Sequence, residues 1–428
     1  MTPEIEKRIK AVQAGRVPAG YKRTKVGIVP KEWDVQSFGE ISFKTGRKKK
    51  KEEDYPVYSI NNQKGFCSQA EQFENDGYAN TSKDSYTLVE KDTFAYNPAR
   101  INIGSIGLLK EPDKVIISSL YVCFGLNKNC NLSFFESYFK SHRFNFDVSN
   151  YTEGSVRQYL FYDNFSKINV AIPPLSEQKK IAEILSTQDR VIELKEKLIA
   201  EKQNQKKYLM NELFTGKKRI KDKTKRYVKT PIGDLPSDWS SISFSTIFDV
   251  KNEHTEDLKK YPLYSLTIEN GVTPKTERYE RSHLVLKENV YKVLYPNYFA
   301  YNPMNIRFGA IGLHKGNYPV SVSGYYDTFT CKDPSLLVFM ENFLKSKMML
   351  NYYDKVSTGS LIEKKRVHLS QFLEFNLPLP AHEEMRAIAE VLSTADKEIS
   401  LLQKDLEQEK LKKKSLMQLL LTGLVRVQ

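Results

Sequence analysis

The sequence is poor in the residues that most often do chemistry. Its six histidines, His142, His254, His283, His314, His368 and His382, stand singly. No H-E-x-x-H, C-x-x-C, G-x-S-x-G or G-x-x-x-x-G-K-[ST] occurs. Carboxylates form no pairing that recurs along the chain. These absences exclude the common hydrolase, dithiol and nucleotide-phosphate sites. Four cysteines are present, Cys67, Cys123, Cys130 and Cys331, without metal spacing. They read as reduced thiols of a cytoplasmic protein that needs no metal. Long apolar runs are also missing. The longest, such as "LLVFM" at 336–340, fall far short of the ~18 residues that cross a bilayer. The start, "MTPEIEKRIK", is charged from residue 4 and offers no secretory apolar stretch.

What is present is a repeat. "FAYNPARINIGSIGL" at 94–108 returns as "FAYNPMNIRFGAIGL" at 299–313. "YPVYS" at 55–59 returns as "YPLYS" at 261–265, "IAEILST" at 181–187 as "IAEVLST" at 388–394, and "LFTG" at 213–216 as "LLTG" at 420–423. Offsets stay between 205 and 207, too long for a solenoid unit of roughly 20–50 residues. The 428-residue chain is therefore a tandem duplication, and each half must fold with its own core. The net charge is +14. Residues 1–216 hold 33 basic and 27 acidic side chains, residues 217–428 hold 33 and 25, so both halves are positive. Two basic domains in one chain suit a polyanion touched at two places, although many soluble proteins are basic without binding one.

Residues 1–20 carry Ile5, Ile9 and Val12 at helical spacing, ending near Gly15. From Tyr21 to about 175 the chain is rich in Tyr, Phe, Asn, Gly and Ser. It mixes β-like runs ("VIISSLYVCF", 115–124) with helical spacing ("LSFFESYFKSHRFNF", 132–146). This is an α+β domain. "IPPLSEQ" at 172–178 closes it, with Ser176 as the expected N-cap. No Gly or Pro follows until Gly216, which predicts a helix of about 38 residues, or ~57 Å. Residues 217–226, "KKRIKDKTKR", form a basic linker. The second half repeats the plan: an α+β domain over 227–380, then a long helix from about 381 toward the end of the chain.

In the second helix Ala395, Ile399, Leu402, Leu406, Glu409, Lys413, Leu416 and Leu420 follow 4-3-4-3 spacing. The matching positions of the first are Gln188, Ile192, Lys195, Ile199, Lys202, Lys206, Leu209 and Leu213. Each series is the seam of a coiled coil, and the simplest partner for each is the other. Antiparallel pairing is expected, with a domain at each end of the helical pair. Glu409 is expected to face Lys202 or Lys206; the seam lysines otherwise snorkel to solvent.

Candidate contacts to DNA lie in the domains. Arg47, Lys48, Lys49 and Lys50 suit phosphates, or a solvated loop. After the repeated Asn-Pro stand Arg100 and Asn102 in one half, Asn305 and Arg307 in the other. Arg suits a guanine edge and Asn an adenine edge; each is otherwise a polar residue beside a turn. "SINNQKG" and "SLTIENG" supply Asn61, Asn62, Lys64 and Asn270. "GSVRQY" and "GSLIEKKR" supply Arg157, Lys364, Lys365 and Arg366. The Asn-Pro copies lack the second proline and the aromatic residue of the DNA amino-methyltransferase motif, and no glycine-rich cofactor loop precedes them. They read as turns that close a strand.

Together these landmarks resemble the specificity subunit of type I restriction–modification systems. "PPLSEQKKIAEIL" at 173–185 and "LPLPAHEEMRAIAEVL" at 377–392 carry the resemblance most strongly, after domains with "YPxYS" and "FAYNP". The second copy departs from the first, with His382 for Leu175 and Met385 for Gln178. The resemblance implies two target-recognition domains separated by two long antiparallel helices in a coiled coil, with internal pseudo-twofold symmetry. Each domain would read one half of a split DNA site, and the helices would set the gap. Such a subunit is non-catalytic and holds no cofactor. S-adenosylmethionine would belong to a partner methyltransferase (modification) subunit, ATP and Mg to a restriction/translocase subunit. Residues 1–20, whose "IKAVQAGRVP" resembles "MNELFTGKKR", would pack at the far end of the second helix. The competing readings are a stand-alone DNA-binding or architectural protein and a scaffold that binds proteins.

Overall fold

The structure, a computed structural model, describes residues 2–69, 85–154, 158–220, 226–275, 291–360 and 365–427. The chain divides into two units: residues 1–196 with 404–428, and residues 197–403. The division passes through both long helices, so each unit is one globular domain plus one half of each helix.

The first domain opens with a hairpin of Tyr21–Thr24 and Gly27–Pro30, then pairs Asp34–Ser37 with Asn169–Ile172. A four-stranded sheet follows in the order Ile106–Leu108, Phe94–Tyr96, Val122–Leu126, Ser42–Lys44. A three-stranded sheet is ordered Lys114–Ile117, Thr87–Glu90, Arg47–Lys48, and Tyr58–Asn61 pairs with Gly65–Ser68. The second domain repeats every one of these sheets. Its four-stranded sheet runs Ile311–Leu313, Phe299–Tyr301, Asp327–Cys331, Phe248–Val250. The stretch of helical spacing at 132–146 is two helices, Leu132–Phe139 and His142–Tyr151. Ser141 separates them by accepting from the Phe144 amide as an N-cap. Leu337–Leu344 and Lys347–Val356 are their counterparts.

Aromatic rings fill both cores. Phe38 stacks on Phe165 at 4.6 Å and Phe94 on Phe124 at 5.4 Å; Phe299 stacks on Phe329 at 5.2 Å. Each core also takes the beginning of one long helix and the end of the other. Ile181, Leu185, Leu420 and Leu421 join the first core; Leu213, Phe214, Ile388 and Leu392 join the second.

The long helices are Leu175–Phe214 and His382–Leu421, 40 residues each. The first starts before the expected cap at Ser176. Pro174 already accepts from the Gln178 amide at 3.0 Å, so Pro174 holds the N-cap position and Ser176 lies inside the first turn. Gln178 is buried and ties the helix to the domain, donating to the Pro173 carbonyl at 2.9 Å and accepting from the Asn131 amide at 2.8 Å. Its counterpart Met385 is buried as a hydrophobe.

Within each unit the helix halves run antiparallel. Of the seam, Ile199, Leu213, Ile399, Leu406 and Leu420 are buried; Ile192, Leu209, Leu402 and Leu416 are half-buried. The register differs from expectation. Glu409 faces Gln188, whose amide donates at 2.7 Å, and Lys195 at 3.8 Å, not Lys202 or Lys206. Lys202 meets Glu398 at 2.6 Å and Lys206 meets Asp396 at 2.6 Å. Register follows the anchoring of both helix ends in the domain cores, which outweighs a single polar pairing mid-seam. The seam lysines bend across to acids of the opposite helix; Lys413 pairs with Asp189 and Lys195 with Asp405.

Candidate nucleic-acid interface

Three segments separated in sequence converge at one corner of each domain. The Asn-Pro turn comes first. Asn97 Oδ1 accepts from the Ala99 amide at 3.0 Å, and Asn302 Oδ1 from Met304 at the same distance. This side-chain mimic of a turn ends the strand and starts a short 3₁₀ helix, Ile101–Ile103 or Ile306–Phe308. The third segment hydrogen-bonds to the proline of that turn: Leu160 N to Pro98 O at 3.1 Å, Val367 N to Pro303 O at 3.0 Å. The hairpin packs on the other side. Ser105 Oγ donates to Ile60 O at 2.8 Å. A Cβ on Gly107 would fall 2.8 Å from Gly65 Cα, and one on Gly312 3.1 Å from Gly271 Cα. Only paired glycines allow strands to approach so closely.

Arg100, Asn102, Asn62 and Lys64 are therefore exposed at one corner, and Asn270 and Asn305 at the other. Asn61 is partly spent. Its Oδ1 accepts from the amides of Gln63 at 3.0 Å and Lys64 at 2.6 Å, holding the hairpin turn. Arg307 is also committed. It donates to Asp354 at 3.2 Å, lies 4.4 Å over the Phe308 ring, and its side chain is 10% exposed. The exchange of Arg and Asn between the halves is thus unequal: Arg100 is presented, and Arg307 is restrained by a carboxylate that the first domain replaces with Ser149. Lys365 and Arg366 are half-buried, and Arg366 pairs through its backbone with Thr358. Arg157 and Lys364 lie outside the described residues.

The basic run is not part of this corner. Arg47–Lys48 is the edge of the three-stranded sheet, two strands or about 10 Å from Lys114–Ile117, against which the hairpin segment packs at Val57. Glu53 grips Arg47 at 2.8 Å and accepts from the Lys50 amide at 2.9 Å, which together pull its carboxyl down to about 2. Lys48 and Lys50 remain exposed; Lys49 is half-buried and donates to Lys50 O at 3.2 Å.

Sequence reasoning missed two apolar residues. Ile103 and Phe308 occupy matching positions at the tips of the two turns, 58% and 52% exposed. The repeat alignment places them together, but only the turn geometry exposes them.

Residues 30–204 match the family model of the type I restriction modification DNA specificity domain. A type I restriction enzyme specificity subunit of Methanocaldococcus jannaschii, MjaVIII, is 28% identical over 431 residues, covering 93% of this chain and 94% of that protein. Residues 30–204 thus match that family's domain model, and nearly the whole chain is similar to type I specificity subunits. A second relative from the same organism, the putative MjaX specificity subunit, is 24% identical over 95% of this chain and 97% of its own. In structure, a chain from a study of complex assembly and conformational transition of the type I R-M system superimposes with a TM-score of 0.58. It covers 93% of this chain and 99% of its own. At 13% identity that likeness concerns the fold. The match to the family model starts just before Trp33 and ends within the first long helix. The internal repeat carries the same elements through the second half of the chain.

Proposed function

We propose that this chain is the DNA-recognition subunit of a type I restriction–modification complex, and that each domain reads one half of a bipartite target. The observation that carries this reading is the repeated corner: one three-segment scaffold built twice, with different residues at its tips. Arg100 and Asn102 face the base edges of one half-site; Asn305 faces those of the other. Phosphate contacts from surface lysines such as Lys48, Lys50 and Lys64 position the duplex without reading it. The subunit is non-catalytic. Methyl transfer from S-adenosylmethionine and ATP- and Mg-dependent cleavage belong to its modification and restriction partners. Leu194 and Leu401, exposed at matching helix positions, belong to the faces that dock modification subunits. Helix length sets the tolerated gap between half-sites.

Genome-wide mapping of methylated adenines tests this. Arg100→Ala should relax one half of the methylated motif, since a bidentate base contact discriminates by about 1–3 kcal/mol, roughly 10- to 100-fold. Asn305→Ala should relax the other half. Equal loss at sites altered in either half would sink the assignment. Lengthening the first long helix by one turn should shift the spacer; an unchanged spacer would remove the ruler.

A further inference from the structure

The second domain has a small cavity of 190 Å³ beneath its recognition hairpin, lined by Tyr264, Asn270, Gly271, His314, Lys315 and Lys345, with Glu341 beside them. Its volume is that of about six water molecules at ~30 Å³ each. The walls are ordered. His314 is buried and meets the Tyr318 carbonyl through Nε2 at 2.8 Å, and the hydroxyls of Tyr264 and Tyr318 lie 2.9 Å apart.

Charge in this cavity is unbalanced. Lys315 and Glu341 neutralise each other at 2.8 Å. Lys345 then remains, half-buried, with no ion pair or hydrogen bond among the described residues. Its Nζ approaches to 3.5 Å of where a Cβ on Gly271 would stand. Burial pushes this amine below the ordinary lysine value; Glu341 opposes the shift, and Lys315 and Lys206 add to it. A buried amine that charges only at a cost lacks an anion.

The first domain shows where that anion comes from. The position of Asn270 is Lys64 there, an exposed cation at the tip of the hairpin, one residue before the paired glycine. The counterpart of Lys345 is Lys140, whose side chain is 49% exposed and paired with Glu136 at 3.5 Å. The counterpart of His314 is Leu109. One domain thus carries a positive charge on the hairpin, and the other brings it up from below. A site that conserves charge at a place while changing the residue that supplies it suits a ligand whose charge is fixed and whose sequence varies.

We propose that the cavity under the second hairpin is a phosphate site, in which Lys345 and Asn270 hold one backbone phosphate of the DNA read by that domain. This rests on the recognition function proposed above. Lys345 neutralises the phosphate, and Asn270 at the rim donates to it. The contact fixes the hairpin against the duplex and carries no base information.

The test measures duplex affinity of the full chain, with its modification subunits, against salt, using a fluorescent duplex that carries the methylation motif and a scrambled duplex of equal length. Lys345→Gln should weaken binding to both duplexes alike and reduce the slope of log affinity against log salt by about 0.9, the loss of one phosphate contact. Lys345→Met should do the same while the melting temperature stays equal or rises, because a desolvated amine has been removed; this separates lost contact from lost fold. An unchanged slope in both variants would overturn the phosphate site and leave the recognition function standing. A loss confined to the motif duplex would also overturn it, since Lys345 would then read bases. Salt-insensitive duplex binding, or none, by the unsubstituted complex would overturn the function and the site together.

Discussion

The clamp that holds a long helix to each domain is built twice, from different parts of the chain. In the first unit Arg426, near the C-terminus, grips Glu177 with two bonds of 2.7 and 2.9 Å and reaches Glu32 at 2.7 Å. In the second, Arg219, just after the first long helix, grips Glu384 at 2.7 and 2.8 Å and Asp238 at 3.0 Å. Tyr21 donates to the Gly423 carbonyl at 2.7 Å, and Tyr227 to that of Gly216 at 2.8 Å. Arg8 of the N-terminal helix, Pro3–Gln13, adds a bond of 3.1 Å to Leu424 O. The two clamps also differ at the indole. Trp33 Nε1 donates to Glu177 at 3.0 Å, whereas Trp239 Nε1 is buried without a partner among the described residues and Arg219 lies 5.7 Å over that ring. The geometry of a clamp needs only that an arginine follow a helix end by a few residues.

This comparison can be broken most sharply at the arginines. Glu177 and Glu384 are 4% and 5% exposed. Arg219→Ala should destabilise the second unit by about 3–5 kcal/mol, because a buried carboxylate loses its bidentate partner. Arg426→Ala should cost about 1–2 kcal/mol less, since Trp33 still donates to the orphaned carboxylate. Hydrogen exchange resolved by domain measures both, and equal losses would show that the indole bond is irrelevant. Next come the glycines beside the clamps. Gly216 and Gly423 have positive φ, and a Cβ would meet Pro236 Cγ at 2.3 Å or Pro30 Cγ at 2.6 Å. Alanine at either should cost about 2–4 kcal/mol from strain and overpacking, more at Gly216 than at Gly423, as read by thermal unfolding. The reverse order would mean the prolines yield. Smaller still are the seam pairs Lys206–Asp396 and Lys413–Asp189, which occupy matching positions in the repeat. Their acids are half exposed, so double-mutant cycles should give about 0.2–1 kcal/mol for each, and the two values should agree.

The faintest contrast is in pH. Only the first domain carries a basic run on its edge strand; the matching strand of the second is His254–Thr255. Glu53 anchors that run, with its carboxyl held at about 2 by Arg47 and the Lys50 amide. A folded value below the unfolded one means that its contribution is complete above the usual carboxylate range and fades as pH falls toward about 2. A carboxyl NMR titration of Glu53 should therefore find its midpoint near 2. A midpoint near the ordinary glutamate value would show the Arg47 grip to be absent in solution.

Much of the plan was legible beforehand because it rests on local rules. Proline pairs stop strands, glycine-free runs of Glu, Lys and Leu make helices, and offsets of 205–207 reveal duplication without any structure. The candidate site was legible only in outline. Asn-Pro, Asn-Asn-Gln-Lys-Gly and the later basic stretch are each weak alone, and nothing local says that three of these segments meet. The pairing of Arg307 was not legible because its partner Asp354 lies 47 residues away. Lys345 gave no signal at all: its meaning depends on the cavity above it and on acids that are paired with something else.

The sequence by itself determined the repeat, the number of domains, the length of both helices and the period of their seam, since each follows from propensity and spacing along a short stretch of chain. Only the tertiary structure decided which residue faces which across the helices, which tips are presented and which arginine is held back. Those outcomes depend on cores that anchor distant segments, and packing of many side chains outweighs the preference of any one polar pair.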